Sequence, residues 1–119
     1  MSCNVCNILV VEDEFLIALD LQAQIEGAGY KVLGPAATVE EGMALLDANP
    51  VHMAVLDMNI RGSTSFPIAE RLEQAGMPFM FLSGNDTFRL QGEFSGRTVL
   101  TKPIDYRILL QHISDSCCH

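Results

Sequence analysis

The sequence has few basic residues and no long apolar run, and each absence argues against a class of protein. Only seven of its 119 residues are Lys or Arg, against fifteen Asp or Glu, so the net charge is −8. Without a basic stripe there is nothing to hold a phosphate backbone, and we expect no nucleic acid partner. No stretch approaches the ~18 uninterrupted apolar residues of a membrane span, and the N-terminus lacks the basic start of a secretory signal. We therefore expect a cytoplasmic protein without a membrane partner.

Length and composition fit one compact domain. A chain of 119 residues is shorter than the ~150 residues used as a guide for one domain, and 49% of its residues are hydrophobic. That fraction supplies a buried core and is too high for a disordered chain. We treat residues 1–119 as a single domain, with a core over about residues 7–113 and flexible termini.

Short apolar runs rich in branched residues alternate with stretches of helical periodicity. The runs are too short for helices and predict strands that are buried on both faces, as in a parallel sheet. The alternation predicts a doubly wound α/β sandwich with right-handed crossovers. We expect strands at 8–11, 31–34, 53–56, 79–82 and 99–100, and helices at 14–28, 39–48, 66–75 and 104–113, with a short or irregular fourth helix within 84–96.

Polar residues follow four of the predicted strands, at the edge of the sheet where α/β proteins bind ligands. Nine of the fifteen acidic residues lie in residues 1–60, where Lys31 is the only Lys or Arg, and this imbalance suggests a site that gathers carboxylates. Three carboxylates, a hydroxyl and an ammonium group are thus expected to converge on one edge. The residues that follow the strands are Glu12 and Asp13, Asp57 and Asn59, Ser83 and Gly84, and Lys102 and Pro103.

This pattern resembles the receiver domain of two-component response regulators over about residues 7–113, chiefly at 11–13, 56–59, 82–84 and 101–103. The resemblance implies a flavodoxin-like (βα)5 fold with a five-stranded parallel sheet of order 2-1-3-4-5. It also implies phosphoryl transfer, with Mg²⁺, from a phosphohistidine of a sensor histidine kinase or a histidine phosphotransfer protein to one aspartate. The stretches 57–62, 66–67, 78–84 and 97–102 are similar to one subset of receivers, which occur alone or at the C-terminus of sensory histidine kinases.

The chemistry of the side chains supports a role for each in phosphoryl transfer. Asp57 is the candidate nucleophile and phosphoacceptor. Lys102 supplies a positive charge for the phosphoryl oxygens, and Ser83 supplies a rotatable hydroxyl donor. The backbone N–H groups of Asn59 and Gly84 complete the predicted cradle. The resemblance implies a signalling domain that catalyses its own aspartyl phosphorylation and dephosphorylation, rather than a metabolic enzyme.

The same edge offers oxygen ligands for Mg²⁺, which takes one or two carboxylates, phosphate oxygen and several waters. Asp13 and Asp57 are predicted to bind the ion directly, the backbone carbonyl of Asn59 is a third ligand, and Glu12 binds directly or through water. We expect no other cofactor.

Two other functions stay open at this point. One is a receiver-like interaction domain that is not phosphorylated, and the other is a haloacid-dehalogenase-like phosphatase. The phosphatase needs a general acid at the place that Asn59 occupies, and an amide cannot donate a proton in that way.

The chain also has Val99 where many receivers carry an aromatic residue three positions before the lysine, which affects how a signal is transmitted but not phosphoacceptance. We expect no output domain, and a homodimer stays open.

Two further features lie outside the predicted site. The first helix carries Phe15 and Ala18 away from its expected core stripe, near the mouth of the site, and this apolar pair is the predicted docking place for a kinase helix bundle. Cysteines occur near both termini, at a sheet end opposite the acidic edge. We expect them to be flexible free thiols, because the cytosol keeps thiols reduced, with a zinc site or a disulfide as the alternative. They are Cys3, Cys6, Cys117 and Cys118.

Overall fold

A five-stranded parallel sheet lies at the centre of the molecule. The computed structural model describes residues 6–84 and 96–117, so most of the expected fourth helix lies outside the described residues. The strands of the sheet are ordered β2-β1-β3-β6-β7 and all neighbouring pairs are parallel. Strands β4 and β5 form a separate hairpin, so β6 and β7 are the fourth and fifth strands of the sheet. The predicted order 2-1-3-4-5 is therefore confirmed. The strands are β1 (Asn7–Val11), β2 (Lys31–Ala36), β3 (Met53–Asp57), β4 (Asn59–Ile60), β5 (Ser63–Thr64), β6 (Phe79–Ser83) and β7 (Val99–Thr101).

Helices cover both faces of the sheet. Helices α2 and α3 pack on one face, and α1 and α4 pack on the other. None of the helices in the described part of the chain is both long and apolar enough to cross a membrane. The helices are α1 (Phe15–Gly27), α2 (Val39–Ala48), α3 (Phe66–Gln74) and α4 (Tyr106–Cys117).

Strand β1 shows why its apolar run is continuous. Successive side chains of a strand point to opposite faces. Leu9 and Val11 accordingly enter the core under α2 and α3, while Ile8 and Val10 enter the core under α1 and α4. Both faces are covered by helices, and the four side chains from Ile8 to Val11 are accordingly all apolar and buried.

The N-terminus of α2 is fixed by a capping box. The hydroxyl oxygen of Thr38 accepts a hydrogen bond from the backbone N–H of Glu41 at 3.0 Å, and the Glu41 carboxylate accepts one from the N–H of Ala37 at 3.1 Å. These bonds satisfy backbone donors that the first turn of a helix leaves unpaired. The helix spans the predicted residues as a result.

The core face of α1 differs from the predicted one at Ala18. This side chain is buried, with 8% of its surface exposed, whereas Phe15 is 72% exposed. Ala18 lies three residues before Leu21 and seven before Ile25, both buried, and this spacing puts all three on one side of a helix. The assignment of Ala18 to an exposed docking pair was therefore wrong.

A small antiparallel hairpin, which the sequence analysis did not predict, follows β3. Strand β4 pairs with β5 through a two-residue turn at Arg61 and Gly62. Both turn residues have positive φ, 52° and 82°, which is typical of the tight turns that join such short strands. The hairpin lies directly after Asp57 and carries Asn59 at its start.

A disulfide joins Cys6, just before β1, to Cys117, at the end of α4. Their Cα atoms lie 6.4 Å apart, a separation that a disulfide can span. The expectation of free thiols was therefore wrong for this pair, because β1 and α4 bring the two residues together at the sheet end opposite the acidic edge. Cys3 and Cys118 lie outside the described residues.

Candidate functional site

Backbone hydrogen bonds hold the ends of neighbouring strands in register at the acidic edge. The N–H of Glu12 donates to the carbonyl of Ala36 at 2.9 Å, which ties the end of β1 to β2. On the other side, the N–H of Lys102 donates to the carbonyl of Ser83 at 2.8 Å, which ties the end of β7 to β6. The side chains that follow the strands are therefore presented from a rigid sheet rather than from a free loop.

Gly34 allows the backbone of β2 to lie close to the backbone of β1. Its φ is +97°, and a Cβ built there would lie 2.6 Å from the N of Ala36 and 3.0 Å from the O of Val10. Only glycine adopts this conformation and leaves this space without strain. Gly34 therefore allows β2 to continue to Ala36, the residue that anchors Glu12.

Three carboxylates form a cluster at this edge. Oxygens of Glu12, Asp13 and Asp57 lie within 4.8 Å of one another. Glu12 and Asp57 are buried, at 1% and 5% exposure, while Asp13 is partly exposed and opens the cluster to solvent. Hard oxygen donors beside open space are the set that Mg²⁺ takes, because this ion keeps several waters. The residues present therefore fit a bound Mg²⁺.

Lys102 is held between these carboxylates. Its Nζ lies 3.0 Å from Glu12 Oε1, 3.0 Å from Asp57 Oδ2 and 3.5 Å from Glu14 Oε1. Burial by itself lowers the pKa of Lys102, but the hydrogen bonds and charges of Asp57 and Glu12 outweigh burial and raise this pKa above its ordinary value. Lys102 is thus a permanent cation directly beside Asp57.

The pKa of Glu12 lies above its ordinary value, whereas the pKa of a salt-bridged surface carboxylate is usually lowered. The pKa of Glu12 is raised from 4.5 to about 7, chiefly by burial and also by the nearby Asp57, while hydrogen bonds from the N–H of Glu14 and from Lys102 act against the shift. The Glu14 N–H donates to Glu12 Oε2 at 3.0 Å. Burial, together with the negative charge of Asp57, thus disfavours the ionised form of Glu12 near neutral pH.

The remaining predicted residues lie around Asp57. The N–H of Asn59 donates to Asp57 Oδ1 at 3.3 Å, and the Asn59 side chain is exposed. Ser83 is buried at the end of β6, the strand next to β3, and Gly84 is exposed immediately after it. The Asn59 carbonyl as a metal ligand and the Gly84 N–H as a phosphoryl contact stay predictions.

Arg61 contributes to the site through its backbone, which the sequence analysis missed. Its N–H donates to Asp13 Oδ2 at 2.9 Å from the turn of the hairpin. A backbone N–H donor cannot be recognised from the residue type. The sequence signal for the turn that positions this donor was the pair Arg61-Gly62. The hairpin therefore orients the most exposed of the three clustered carboxylates.

An apolar surface borders the acidic cluster on the α1 side. Phe15, Leu16 and Leu19 are 72%, 77% and 47% exposed. Phe15 and Leu19 line a depression of about 250 Å³ that Glu12, Asp13 and Arg61 also line. Large exposed side chains next to a polar pocket are typical of protein-docking surfaces.

Comparison with known proteins gives a consistent result over nearly the whole chain. The family model of the response regulator receiver domain matches residues 8–114. The solution structure of SdrG from Sphingomonas melonis Fr1 is 33% identical with a TM-score of 0.81, over 96% of this chain and 97% of that one. The response regulator PhyR from Brucella abortus is 27% identical with a TM-score of 0.84, over 97% of this chain and 49% of that one.

Curated relatives include longer proteins. The transcriptional regulatory protein YvrH from Bacillus subtilis (strain 168) is 31% identical over 103 residues, which are 83% of this chain and 44% of that protein. Transcriptional regulatory protein YbdJ from the same organism is matched over 51% of its length. The chain thus spans about half the length of the curated relatives it matches.

Proposed function

This chain belongs to the response regulator receiver domain family, and we propose that it is the phosphoacceptor of a two-component phosphorelay. Asp57 takes a phosphoryl group from a phosphohistidine of a histidine kinase or a histidine phosphotransfer protein, and the phosphorylated chain binds its partners differently. The observation that carries this proposal is the Lys102 Nζ, 3.0 Å from Asp57 Oδ2 and 3.0 Å from Glu12 Oε1, beside three clustered carboxylates.

In the proposed reaction an oxygen of Asp57 attacks the phosphorus of phosphohistidine. The new oxygen–phosphorus bond makes an acyl phosphate, the phosphorus–nitrogen bond breaks, and its electron pair stays on the imidazole of the donor. Lys102 offsets the negative charge of the phosphoryl oxygens, and the burial of Asp57, which is only 5% exposed, strengthens this interaction. Ser83, at the adjacent strand end, supports the same oxygens with its hydroxyl.

A divalent cation is part of the proposal because the carboxylates would otherwise repel the donor. When bound, Mg²⁺ neutralises charge on the carboxylates and on the transferring group. Asp13 and Asp57 are the proposed direct ligands, the carbonyl of Asn59 is a third, and Glu12 contributes directly or through water. The N–H of Arg61 keeps the carboxylate of Asp13 oriented toward the site.

The proposed docking place for the donor is the apolar surface formed by Phe15, Leu16 and Leu19 on α1. These side chains are exposed, and Phe15 and Leu19 line the same depression as Glu12 and Asp13. A helix bundle packed there brings its phosphohistidine to the acidic edge. The cytoplasmic location stays a prediction from the sequence.

Intact-mass spectrometry after treatment with acetyl phosphate and Mg²⁺ tests the proposal. We expect the protein to gain one phosphoryl group and the Asp57→Asn variant to gain none, because an amide oxygen does not form the acyl phosphate. The matched control is Asp47→Asn, an exposed aspartate that is paired with Arg71 on the protein surface and should label like the wild type. A protein that never labels is the non-phosphorylated interaction domain, and labelling of the Asp57→Asn variant contradicts the assignment.

A further inference from the structure

The cysteines form the one motif of the sequence that the proposed function does not use. Cys6 lies just before the first residue of β1, whereas the acidic edge lies beyond the last residue of this strand. The five residues of β1 at ~3.3 Å each separate the two ends by roughly 17 Å. The disulfide between Cys6 and Cys117 therefore lies away from the phosphorylation site and closes a chain segment with a sequence separation of 111.

The two cysteines differ in their exposure to solvent. Cys6 is 5% exposed and lies in the core between the sheet and helices α1 and α4. Cys117 is partly exposed in the last turn of α4. Thiol–disulfide exchange proceeds by attack of a thiolate on an accessible sulfur, so a reductant from solvent reaches Cys117 first.

The disulfide joins the last turn of α4 to the residue before β1. Leu109 and Ile113 are the fully buried side chains of α4. After Ile113, the final turn places no fully buried apolar side chain on the sheet within the described part of the chain, and Cys117 packs against the core.

We propose that Cys6 and Cys117 form a reversible thiol–disulfide site whose redox state decides whether the last turn of α4 is covalently joined to the residue before β1. Its reactants are dithiols, which open the bond, and small disulfides, which restore it. The site is independent of phosphorylation at Asp57, so the two proposals can fail separately.

The exchange balances without any further reactant. A thiolate of the dithiol bonds to Cys117 Sγ, the bond to Cys6 Sγ breaks, and Cys6 leaves as a thiolate that takes up a proton. The second thiol of the reductant then attacks the mixed disulfide and releases Cys117, which is also protonated. Two electrons and two protons pass from the dithiol to the cysteines, and the dithiol becomes a disulfide.

Thermal unfolding with and without dithiothreitol is the first measurement. Because the closed segment is long, the bond restricts the unfolded chain strongly, and we expect reduction to lower Tm by ~10 °C or more. Cys117→Ser should have the Tm of the reduced protein and no response to dithiothreitol. The matched control, Cys3→Ser with Cys118→Ser, should keep the full response. A response below ~2 °C in this control variant overturns the proposal.

Peptide mapping on the same control variant identifies the bond. Trypsin releases residues 1–31 and 108–119 as separate peptides, and in this variant each peptide holds one cysteine. We expect the two peptides to be joined, to separate in dithiothreitol, and to rejoin in oxidised glutathione. Thiols that both alkylate before reduction, or a bond that does not re-form, contradict the assignment.

Discussion

The buried carboxyl of Glu12 predicts an unusual dependence of stability on pH. Its pKa is raised from 4.5 to about 7 in the folded protein, first by burial. Between these two values the folded state holds a proton that the unfolded state has lost. The free energy of unfolding therefore falls as pH rises through this window, which is the reverse of the behaviour of a salt-bridged surface carboxylate.

The size of the effect follows from the width of the window. One pKa unit corresponds to ~1.4 kcal/mol, so a shift to about 7 amounts to about 3 kcal/mol lost between pH 4.5 and pH 7.5. The variant Glu12→Gln keeps the shape of the side chain and cannot ionise. Its stability relative to wild type should thus rise by about 3 kcal/mol across the same range.

Urea unfolding in EDTA at a series of pH values measures this difference. Far-UV circular dichroism is the suitable signal, since the sequence contains no Trp. Glu70→Gln on the exposed surface of α3 serves as the control for losing a carboxylate elsewhere. The reasoning is refuted if the difference between Glu12→Gln and wild type varies by less than ~1 kcal/mol over the whole range.

Three further predictions concern the metal, the partner and the core. Excess EDTA should stop labelling by acetyl phosphate while the circular dichroism spectrum stays the same, and equal labelling in EDTA would show that no cation is needed. Phe15→Asp should slow transfer from a kinase but not from acetyl phosphate, whereas equal losses would indicate a folding defect. Gly42→Ala should destabilise the protein by ~1–3 kcal/mol, because a new Cβ would lie 2.7 Å from Ile68 Cδ1 and 3.1 Å from Val11 Cγ2. Gly27→Ala, in open space at the end of α1, should gain up to ~1 kcal/mol in urea unfolding, and equal effects at both glycines would contradict the packing argument.

Much of the site could be predicted because the topology of a parallel sheet is simple. Continuous apolar runs identify strands that are buried on both faces, and the residues after them must share one edge. Glu12, Asp57 and Lys102 come from three such strand ends, and the structure brings them within hydrogen-bonding distance. The capping pair Thr38 and Glu41 fixed the start of α2 in the same local way.

What could not be predicted depends on contacts that leave little mark on the sequence. The hairpin strands have two residues each, too few for any periodicity, and the donor that Arg61 offers to Asp13 is a backbone group. The disulfide was misjudged because sequence position does not tell which thiols meet. Ala18 was misplaced because a small side chain contributes little to an apolar stripe, although helical spacing puts it with Leu21.

Lys102, which pairs with carboxylates of the acidic edge, is synthesised after all of them. Lys102 is separated from Asp57 by 45 residues and from Glu14 by 88, and it follows β7, the last strand of the sheet. A nascent chain that lacks this strand already carries all of its clustered carboxylates but not the cation that balances them. Such contacts between distant residues form late in folding, because a long segment must be closed first. An unfinished chain accordingly lacks the cation beside Asp57, and under the proposed function it can accept a phosphoryl group only when synthesis has passed this strand.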